Sequence, residues 1–232
     1  MSAAGEGRQA GHELCGARLV LDPSGALAWP EEGVLVVSDL HFETGSSFAR
    51  RGFFVPPYDT GVTLAKLEAV MARHRPARVV CLGDSFHDAG GSARLSSEAR
   101  ARLVALAEAA EWTWISGNHD PAPPEGLPGT AADVVSIGPL TFRHEPTAGP
   151  APGEVAGHLH PAASVALPGR WVRRKAFVAD ATRMVMPAFG AYTGGLDVFH
   201  RAFAPLFRKR DFAAFLLGTG LVHRFEARLL AA

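Results

Sequence analysis

The stretch Trp112-Thr113-Trp114-Ile115-Ser116-Gly117-Asn118-His119-Asp120 joins a short apolar run to a polar cluster. Aromatic and β-branched residues of this kind predict a buried strand, so the polar cluster lies at the carboxyl end of that strand. Two earlier segments have the same organisation: Val34–Val37 leads into Asp39-Leu40-His41, and Arg78–Leu82 leads into Gly83-Asp84. Polar side chains are therefore predicted to gather along one edge of a sheet.

Helical patterns separate these three strands. Thr60 can cap a helix that runs to His74, with apolar residues spaced along one face. A second helix is predicted over Ser97–Ala110. Strands that alternate with helices are typical of an α/β sandwich with a site along one edge of its sheet.

The second half of the chain is predicted to consist mainly of strands. After the Pro-rich loop 121–128, a hairpin is predicted from Val134–Ile137 and Leu140–Phe142 around Gly138-Pro139. Residues 202–217 are predicted to form an amphipathic segment. Further predicted strands are Val155 towards His158, Ser164–Leu167, Trp171–Val172, Ala176–Val178 and Met184–Met186.

Composition limits the class of protein. The chain has 232 residues, of which 47% are apolar and 20% charged, as in ordinary globular proteins. Residues 1–17 are rich in Gly and Ala without periodicity, which predicts a poorly ordered lead-in before a single domain over 18–232.

The charge balance limits the ligands that the protein can attract, and the cysteines limit the compartment in which it works. Lys plus Arg and Asp plus Glu number 23 each, so no overall field attracts polyanions, and nucleic-acid binding would need a local patch. Only Cys15 and Cys81 occur, which disfavours a secreted disulfide scaffold. No membrane-spanning run or signal segment is seen, and we expect a cytoplasmic protein that does not act in a membrane.

The polar clusters contain residue types that bind metals. Carboxylate, carboxamide and imidazole groups together suit borderline divalent ions such as manganese, iron, cobalt or zinc. Residues two apart in an extended segment point the same way, so Asp39 with His41, and His158 with His160, can each converge on one site. The clusters are Asp39-Leu40-His41, Gly83-Asp84, Gly117-Asn118-His119-Asp120, Arg143-His144 and Gly157-His158-Leu159-His160.

In this order, the clusters resemble the pattern of the calcineurin-like metallophosphoesterases: DxH, GD, GNH[D/E], a lone His and GHxH. Within that superfamily the chain is similar to the bacterial ligase-associated DNA damage response endonucleases of the PdeM type, over about residues 33–200. The segments that carry the closer resemblance are Gly45–Gly52, Pro56–Thr60, Gly83–Asp88, Arg143–Pro146 and Pro187–Leu196.

The resemblance implies a four-layer α/β/β/α sandwich with two central mixed β-sheets and a site for two divalent metal ions. Manganese is the expected metal, with iron, zinc, cobalt or nickel as alternatives. One ion would be held by Asp39, His41, Asp84 and His160, and the other by Asp84, Asn118, His144 and His158. Asp84 would thus bridge the two, and the reaction would be phosphoester hydrolysis by a hydroxide activated between them.

His119 is left over from ligation, and the resemblance implies that it donates a proton to the leaving group or stabilises the departing oxygen. In related phosphatases an acid or amide three residues after the bridging Asp often orients this histidine. Here that position is His87, and a carboxylate follows as Asp88. Whether His87, Asp88 or Asp120 orients His119 stays open, so Asp88 and Asp120 join His119 as candidate catalytic residues.

The closer resemblance implies a DNA substrate and a role in the DNA damage response beside an ATP-dependent DNA ligase, a helicase and an exonuclease. Arg50, Arg51 and Arg143 are the candidate substrate-binding residues, and Arg173-Arg174-Lys175 could also lie along a phosphate backbone. The stretch Pro187–Leu196 is either a loop near the metals or a tight turn. Oligomeric state stays open.

Two other functions are alternatives to a DNA endonuclease. A phosphodiesterase or phosphatase acting on a small nucleotide-like phosphoester is favoured by the zero net charge. A scaffold that has lost catalysis is disfavoured, because Asp84, Asn118, His119, His158 and His160 are all retained.

Overall fold

A computed structural model describes residues 10–208 and 211–231 of the chain. Its strands form one seven-stranded and one nine-stranded sheet, both with parallel and antiparallel pairs. The strands of the first sheet are β1 (Ala10–Leu14), β2 (Ala17–Leu21), β3 (Leu27–Trp29), β4 (Val34–Val37), β5 (Arg78–Cys81), β6 (Glu111–Ile115) and β7 (Thr130–Ala132), paired in that order.

The nine-stranded sheet follows the order β14-β11-β12-β13-β10-β9-β8, with β15 paired to both β12 and β16. Its strands are β8 (Val134–Ile137), β9 (Leu140–Arg143), β10 (Glu154–Ala156), β11 (Pro161–Leu167), β12 (Arg170–Ala179), β13 (Arg183–Val185), β14 (Leu196–Asp197), β15 (Ala213–Leu217) and β16 (Val222–Glu226). The helices are α1 (Thr44–Arg50), α2 (Asp59–His74), α3 (Gly91–Arg94) and α4 (Ser97–Glu108), and 3₁₀ turns cover Pro30–Glu32, Arg201–Phe203 and Ala227–Leu229.

Strands β4, β5 and β6 are parallel neighbours, as the alternation of strands and helices predicted. Helical crossovers between parallel strands bring all three carboxyl ends to one edge of the sheet. Along β4, Leu35 and Val37 face α2 and α4, whereas Val36 faces the other sheet. This alternation explains why the strand is apolar throughout, since both of its faces are buried.

The main core lies between the two sheets. Val36 and Val80 of the first sheet pack in one cluster with Phe142, Phe177 and Met184 of the second. A second core joins the outer face of the first sheet to α2 and α4. The predicted sandwich with two central mixed sheets is therefore confirmed.

The fourth layer lies on the outer face of the second sheet. The outer face of the second sheet is covered by Val198, Phe203 and Phe212, which belong to a loop with one 3₁₀ turn rather than to an α-helix. Of the amphipathic segment predicted for residues 202–217, Ala213–Leu217 forms β15, and residues 209–210 lie outside the described residues. Pro205 disfavours a continuous helix here, and the apolar run instead pairs with β12.

Two other predictions need correction. Ala10–Leu14 forms a hairpin with Ala17–Leu21 and buries Leu14, so the ordered fold begins before residue 18, while residues 1–9 of the predicted lead-in lie outside the described residues. The separate strands predicted at 171–172 and 176–178 are one strand, β12, because it pairs with β11 at one end and with β13 and β15 at the other. Among the described residues, no helix combines the length and apolar character needed to cross a membrane.

Candidate metal centre

The polar clusters of both sheets meet at one place. β4, β5 and β6 end just before Asp39, Asp84 and Asn118, and the parallel pair β9 and β10 ends just before His144 and His158. The parallel strands of the two sheets therefore present their carboxyl ends to a common site.

Asp39, His41 and His160 form the first candidate ligand set, with one ligand atom of each lying within 4.8 Å of the others. The Nε2 atoms of His41 and His160 are 3.3 Å apart, and His160 Nε2 is 3.2 Å from Asp39 Oδ1. Two imidazole nitrogens and a carboxylate oxygen thus converge on one small volume.

Asp84, His144 and His158 form the second set under the same criterion. His144 Nε2 lies 3.2 Å from His158 Nδ1 and 2.9 Å from Asn118 Oδ1. The other nitrogen of His144, Nδ1, is 2.8 Å from the main-chain oxygen of Leu82. Because a carbonyl only accepts, Nδ1 carries the proton and Nε2 is left as a ligand atom.

Asp84 lies between the two sets. Its Oδ2 atom is 3.8 Å from His41 Nε2 and 3.5 Å from His144 Nε2. One carboxylate is therefore within reach of both sets, which is the arrangement that a bridging ligand requires.

Unusual backbone conformations direct these side chains inward. The affected residues have φ between 45° and 67°, a region that costs non-glycine residues of order 1–3 kcal/mol each and is common at functional sites. Hydrogen bonds support the conformation: His41 N–H donates to the Asp84 carbonyl at 2.9 Å, and His158 N–H donates to the Asp39 carboxylate. The residues are Asp39, His41, Asp84, His158 and His160.

Glycines before the ligands allow this close approach. A Cβ atom on Gly83 would lie 2.6 Å from the His144 ring, and one on Gly117 would lie 2.2 Å from the Asp84 nitrogen. A Cβ on Gly157 would overlap the Ser38 hydroxyl at 1.9 Å. The glycines of the motifs are therefore required by packing around the ligands.

The electrostatics of the site fit two divalent cations. Asp39 and Asp84 are buried, and neither forms an ion pair with a Lys or Arg within residues 10–208 and 211–231. Burial acts to raise the pKa of Asp39, but hydrogen bonding and charge from His160 offset it and hold the pKa below its usual value. Burial lowers the pKa of His41 to about 3, which keeps the imidazole in its neutral, metal-binding form.

This donor set suits borderline divalent metals. Bound cations would supply positive charge to phosphoryl oxygens and make an adjacent water more acidic. The residues that would hold them are Asp39, His41, Asp84 and His160 for one ion, and Asp84, Asn118, His144 and His158 for the other.

His119 lies at the mouth of the site, with 41% of its side chain exposed. Its main-chain N–H donates to Asp84 Oδ1 at 2.9 Å, and its Nδ1 lies 2.9 Å from the main-chain oxygen of His87. Nδ1 must donate in that contact, so Nε2 is the free nitrogen, 3.9 Å from Asp84 Oδ2. The orienting group is therefore a main-chain carbonyl, and not the side chain of His87, Asp88 or Asp120.

The two candidate catalytic carboxylates have other contacts. Asp88 forms a paired hydrogen bond with Arg94 at 2.8 and 2.7 Å, which holds the pKa of Asp88 well below its usual value. Asp120 is buried, and its Oδ2 accepts from the Phe86 N–H at 2.9 Å. Burial raises the pKa of Asp120 to about 7.

The predicted substrate-binding arginines fall into two groups. Arg50 and Arg51 are exposed at the end of α1, whose Phe48 ring contacts the His87 ring at 5.3 Å. Arg143 instead contacts Thr147 and lies 3.7 Å from Glu154. Any phosphate bound by Arg143 would compete with those contacts.

Sequence reasoning missed the surroundings of Lys175. The sequence pattern places Lys175 in a basic cluster that could lie along a phosphate backbone, but its amine is directed into the protein and donates to the loop at 187–195. That loop lies at the candidate metal centre, since Gly190 N–H donates to the Asp39 carbonyl at 3.0 Å. The glycines of the loop were a usable signal for close backbone approach.

Two solved structures are similar to this chain. The chain has 26% identity to the Pseudomonas putida nuclease MPE, whose crystal structure superposes with a TM-score of 0.72, covering 94% of this chain and 100% of that one. Yfce, a phosphoesterase from E. coli, shares 15% identity at a TM-score of 0.41, covering 84% of this chain and 98% of that one. No curated protein sequence matches.

Residues 33–170 match the family model described as calcineurin-like phosphoesterase, a span that contains every candidate metal ligand. The chain belongs to the calcineurin-like phosphoesterase family.

Proposed function

We propose that this protein is a manganese-dependent phosphodiesterase that uses two divalent cations to cleave DNA as an endonuclease. The observation that carries the proposal is the position of Asp84, whose Oδ2 lies within 4 Å of a ligand nitrogen from each candidate set. A carboxylate in this position can hold two cations close enough to bind one phosphoryl group together.

His119 is the proposed proton donor to the leaving oxygen. Its Nδ1 proton is held by the His87 carbonyl, so the protonated ring would present Nε2–H to the site. General acid catalysis of this kind contributes about 10² to 10⁴ in rate, and it matters most when the leaving group is poor.

DNA as substrate is supported by similarity and by the surface beside His87. The similar Pseudomonas putida protein is a nuclease. Arg50 and Arg51 could bind phosphates, and Phe53 and Phe54, 69% and 87% exposed, are available to stack on bases. We extend the proposal to a cytoplasmic role in the DNA damage response, beside an ATP-dependent ligase, a helicase and an exonuclease.

The test is hydrolysis by metal-stripped protein to which manganese, zinc, iron or magnesium is added back singly. Bis-p-nitrophenyl phosphate, p-nitrophenyl phosphate and circular plasmid serve as parallel substrates. Manganese-dependent diesterase activity with plasmid nicking is the expected result. Loss of all three activities with every metal would contradict the proposal.

A second candidate is a phosphodiesterase for small nucleotide-like substrates, favoured by the net charge of zero. DNA affinity that falls steeply with added salt would support the nuclease, because contacts to phosphates release counterions. Salt-insensitive binding, with an intact plasmid and cleaved small diesters, would support the second candidate.

A further inference from the structure

Two half-buried lysines hold the loop Pro187–Gly195, which we call the glycine loop. Lys175 donates to the carbonyls of Ala188 at 3.0 Å and Gly190 at 2.8 Å, and to the Thr193 hydroxyl at 2.5 Å. Lys66 donates to the Phe189 carbonyl at 2.6 Å, and its amine lies 3.9 Å from the centre of the Phe189 ring. Three successive carbonyls are thus bound by two amines.

The glycine loop also contacts the backbone of metal-ligand candidates. Phe189 N–H donates to the Ser38 carbonyl at 2.8 Å, and Gly190 N–H donates to the Asp39 carbonyl at 3.0 Å. Just beyond the loop, Leu196 N–H donates to the His160 carbonyl at 3.0 Å. Asp39 and His160 belong to the same ligand set, so this stretch of chain connects both.

There is little room for the loop to shift. A Cβ atom on Gly190 would lie 2.3 Å from the Leu40 oxygen, and one on Gly195 would lie 2.7 Å from the His160 oxygen. Both ligands also have left-handed backbone conformations, with φ of 52° for Asp39 and 45° for His160. Such conformations persist only where surrounding contacts hold them.

The two lysines bind the carbonyls of the glycine loop rather than a carboxylate. Neither forms an ion pair with a carboxylate within the described part of the chain, and burial lowers the pKa of Lys175 to about 8. An amine that is largely removed from water needs hydrogen-bond partners, and the loop carbonyls provide them. Lys175 lies on β12, which pairs with β11 opposite Ala162, two residues after His160. Strand β12 therefore fixes the position of Lys175 relative to His160.

We infer that Lys175, assisted by Lys66, is a positioning residue for the metal centre: it holds the glycine loop, which in turn holds the backbone of Asp39 and His160. The inference rests on the proposed function only in taking these two residues as metal ligands. It requires neither a particular substrate nor turnover.

The first test is manganese binding to metal-free full-length protein by titration calorimetry. Lys175→Met keeps an apolar chain of similar length but removes the donors. We expect manganese affinity to fall about 10- to 100-fold, as is typical when a group that supports a metal ligand is removed. Arg102→Met is the matched control, because Arg102 pairs with Glu68 on the outer helices, and its affinity should equal that of the wild type.

The second test is amide hydrogen exchange in the metal-free protein. The Gly190 amide should lose protection in Lys175→Met, while the Glu111 amide, bonded to Ala77 at the other end of the sheet, should not change. Should Lys175→Met fail to fold, Thr193→Val removes one acceptor and leaves both lysines; it should shift both readouts in the same direction by a smaller factor.

Unchanged manganese affinity and unchanged Gly190 exchange in a folded variant would overturn the inference. Hydrogen exchange needs no metal or substrate, so its result stands even if the protein proves not to be a nuclease. If the wild-type protein binds no manganese, that result contradicts the proposed function, and the hydrogen-exchange comparison still tests the inference.

Discussion

The main-chain oxygen of His87 lies 2.9 Å from Nδ1 of His119 and so fixes which nitrogen of that ring faces the candidate metal centre. His87 follows the bridging candidate Asp84 by three residues, so one short loop both places the carboxylate and orients the histidine. His119 in turn donates its main-chain N–H to Asp84. A hydrogen bond thus links the residue proposed as proton donor to the residue proposed as bridging ligand.

His119→Ala should retain both metals but slow hydrolysis of diesters with poor leaving groups by about 10² to 10⁴, because the proton donor is lost. Activated aryl esters should lose much less, since their leaving groups need little protonation. Steady-state rates on alkyl and p-nitrophenyl diesters, with metal content measured in parallel, check this. Equal loss on both substrates would remove His119 from the role of proton donor.

Asp84→Asn should lower the metal content and reduce activity by at least about 10², because a neutral amide cannot bridge two cations as a carboxylate does. The change preserves side-chain shape, so the fold should survive. Elemental analysis and diesterase rates provide the measurement, with Glu68→Gln on the outer face of α2 as the control. An Asp84→Asn protein with full metal content and activity would contradict the two-metal arrangement.

Gly117→Ala should disrupt the centre, because the new methyl group would lie 2.2 Å from the Asp84 nitrogen and 2.3 Å from its carboxylate. We expect weaker metal binding and a lower melting temperature. Gly61→Ala is the matched control: this α2 position faces open space, and alanine there should raise stability by about 0.5–1 kcal/mol. Thermal unfolding and manganese titration of both variants distinguish the two effects.

Lys66 should make stability depend on pH. Burial lowers the pKa of Lys66 to about 7 from 10.5, so between these values the unfolded chain binds a proton that the folded protein does not. The free energy of unfolding should therefore rise from pH 7 to pH 9, by roughly 1–2 kcal/mol from this group.

The comparison with Lys66→Met isolates that contribution, since other titrating groups are common to both proteins. Urea unfolding at pH 7 and pH 9 should show a smaller rise with pH in the variant. An identical rise in both proteins would show that Lys66 titrates normally in the folded state.

The two cysteines should differ in reactivity. Burial raises the pKa of Cys81 far above its usual value, whereas Cys15 is exposed. Because the thiolate is the reactive form, a disulfide reagent should modify Cys15 in the native protein and reach Cys81 only after unfolding. Mass spectrometry of the labelled protein identifies the site, and rapid labelling of Cys81 in the native state would contradict its buried position.

Much of the first sheet was predictable from local sequence. The sequence pattern predicts Val34–Val37 with its observed bounds and α2 to its observed end at His74, because burial on both faces of a strand and the 3.6-residue period of a helix leave local patterns. The predicted start of α2 is wrong, since its N-cap is Tyr58 and not Thr60. The second sheet was harder. In the second sheet the pattern over residues 202–217 does not identify β15, and in the first sheet the Gly- and Ala-rich stretch 1–17 does not identify β1, because both strands are stabilised by pairing with other strands.

By itself, the sequence determined which chemical groups are available: carboxylates, an amide and imidazoles, each placed directly after a strand and preceded by glycine where space is short. Residue type and spacing along the chain are sufficient for that. Only the tertiary structure decided that a main-chain carbonyl orients His119 and that Lys175 is directed inward to the glycine loop. Every residue has a main-chain carbonyl, and the sequence does not show whether a lysine side chain points inward or outward. Such contacts are therefore defined only when the two sheets pack together.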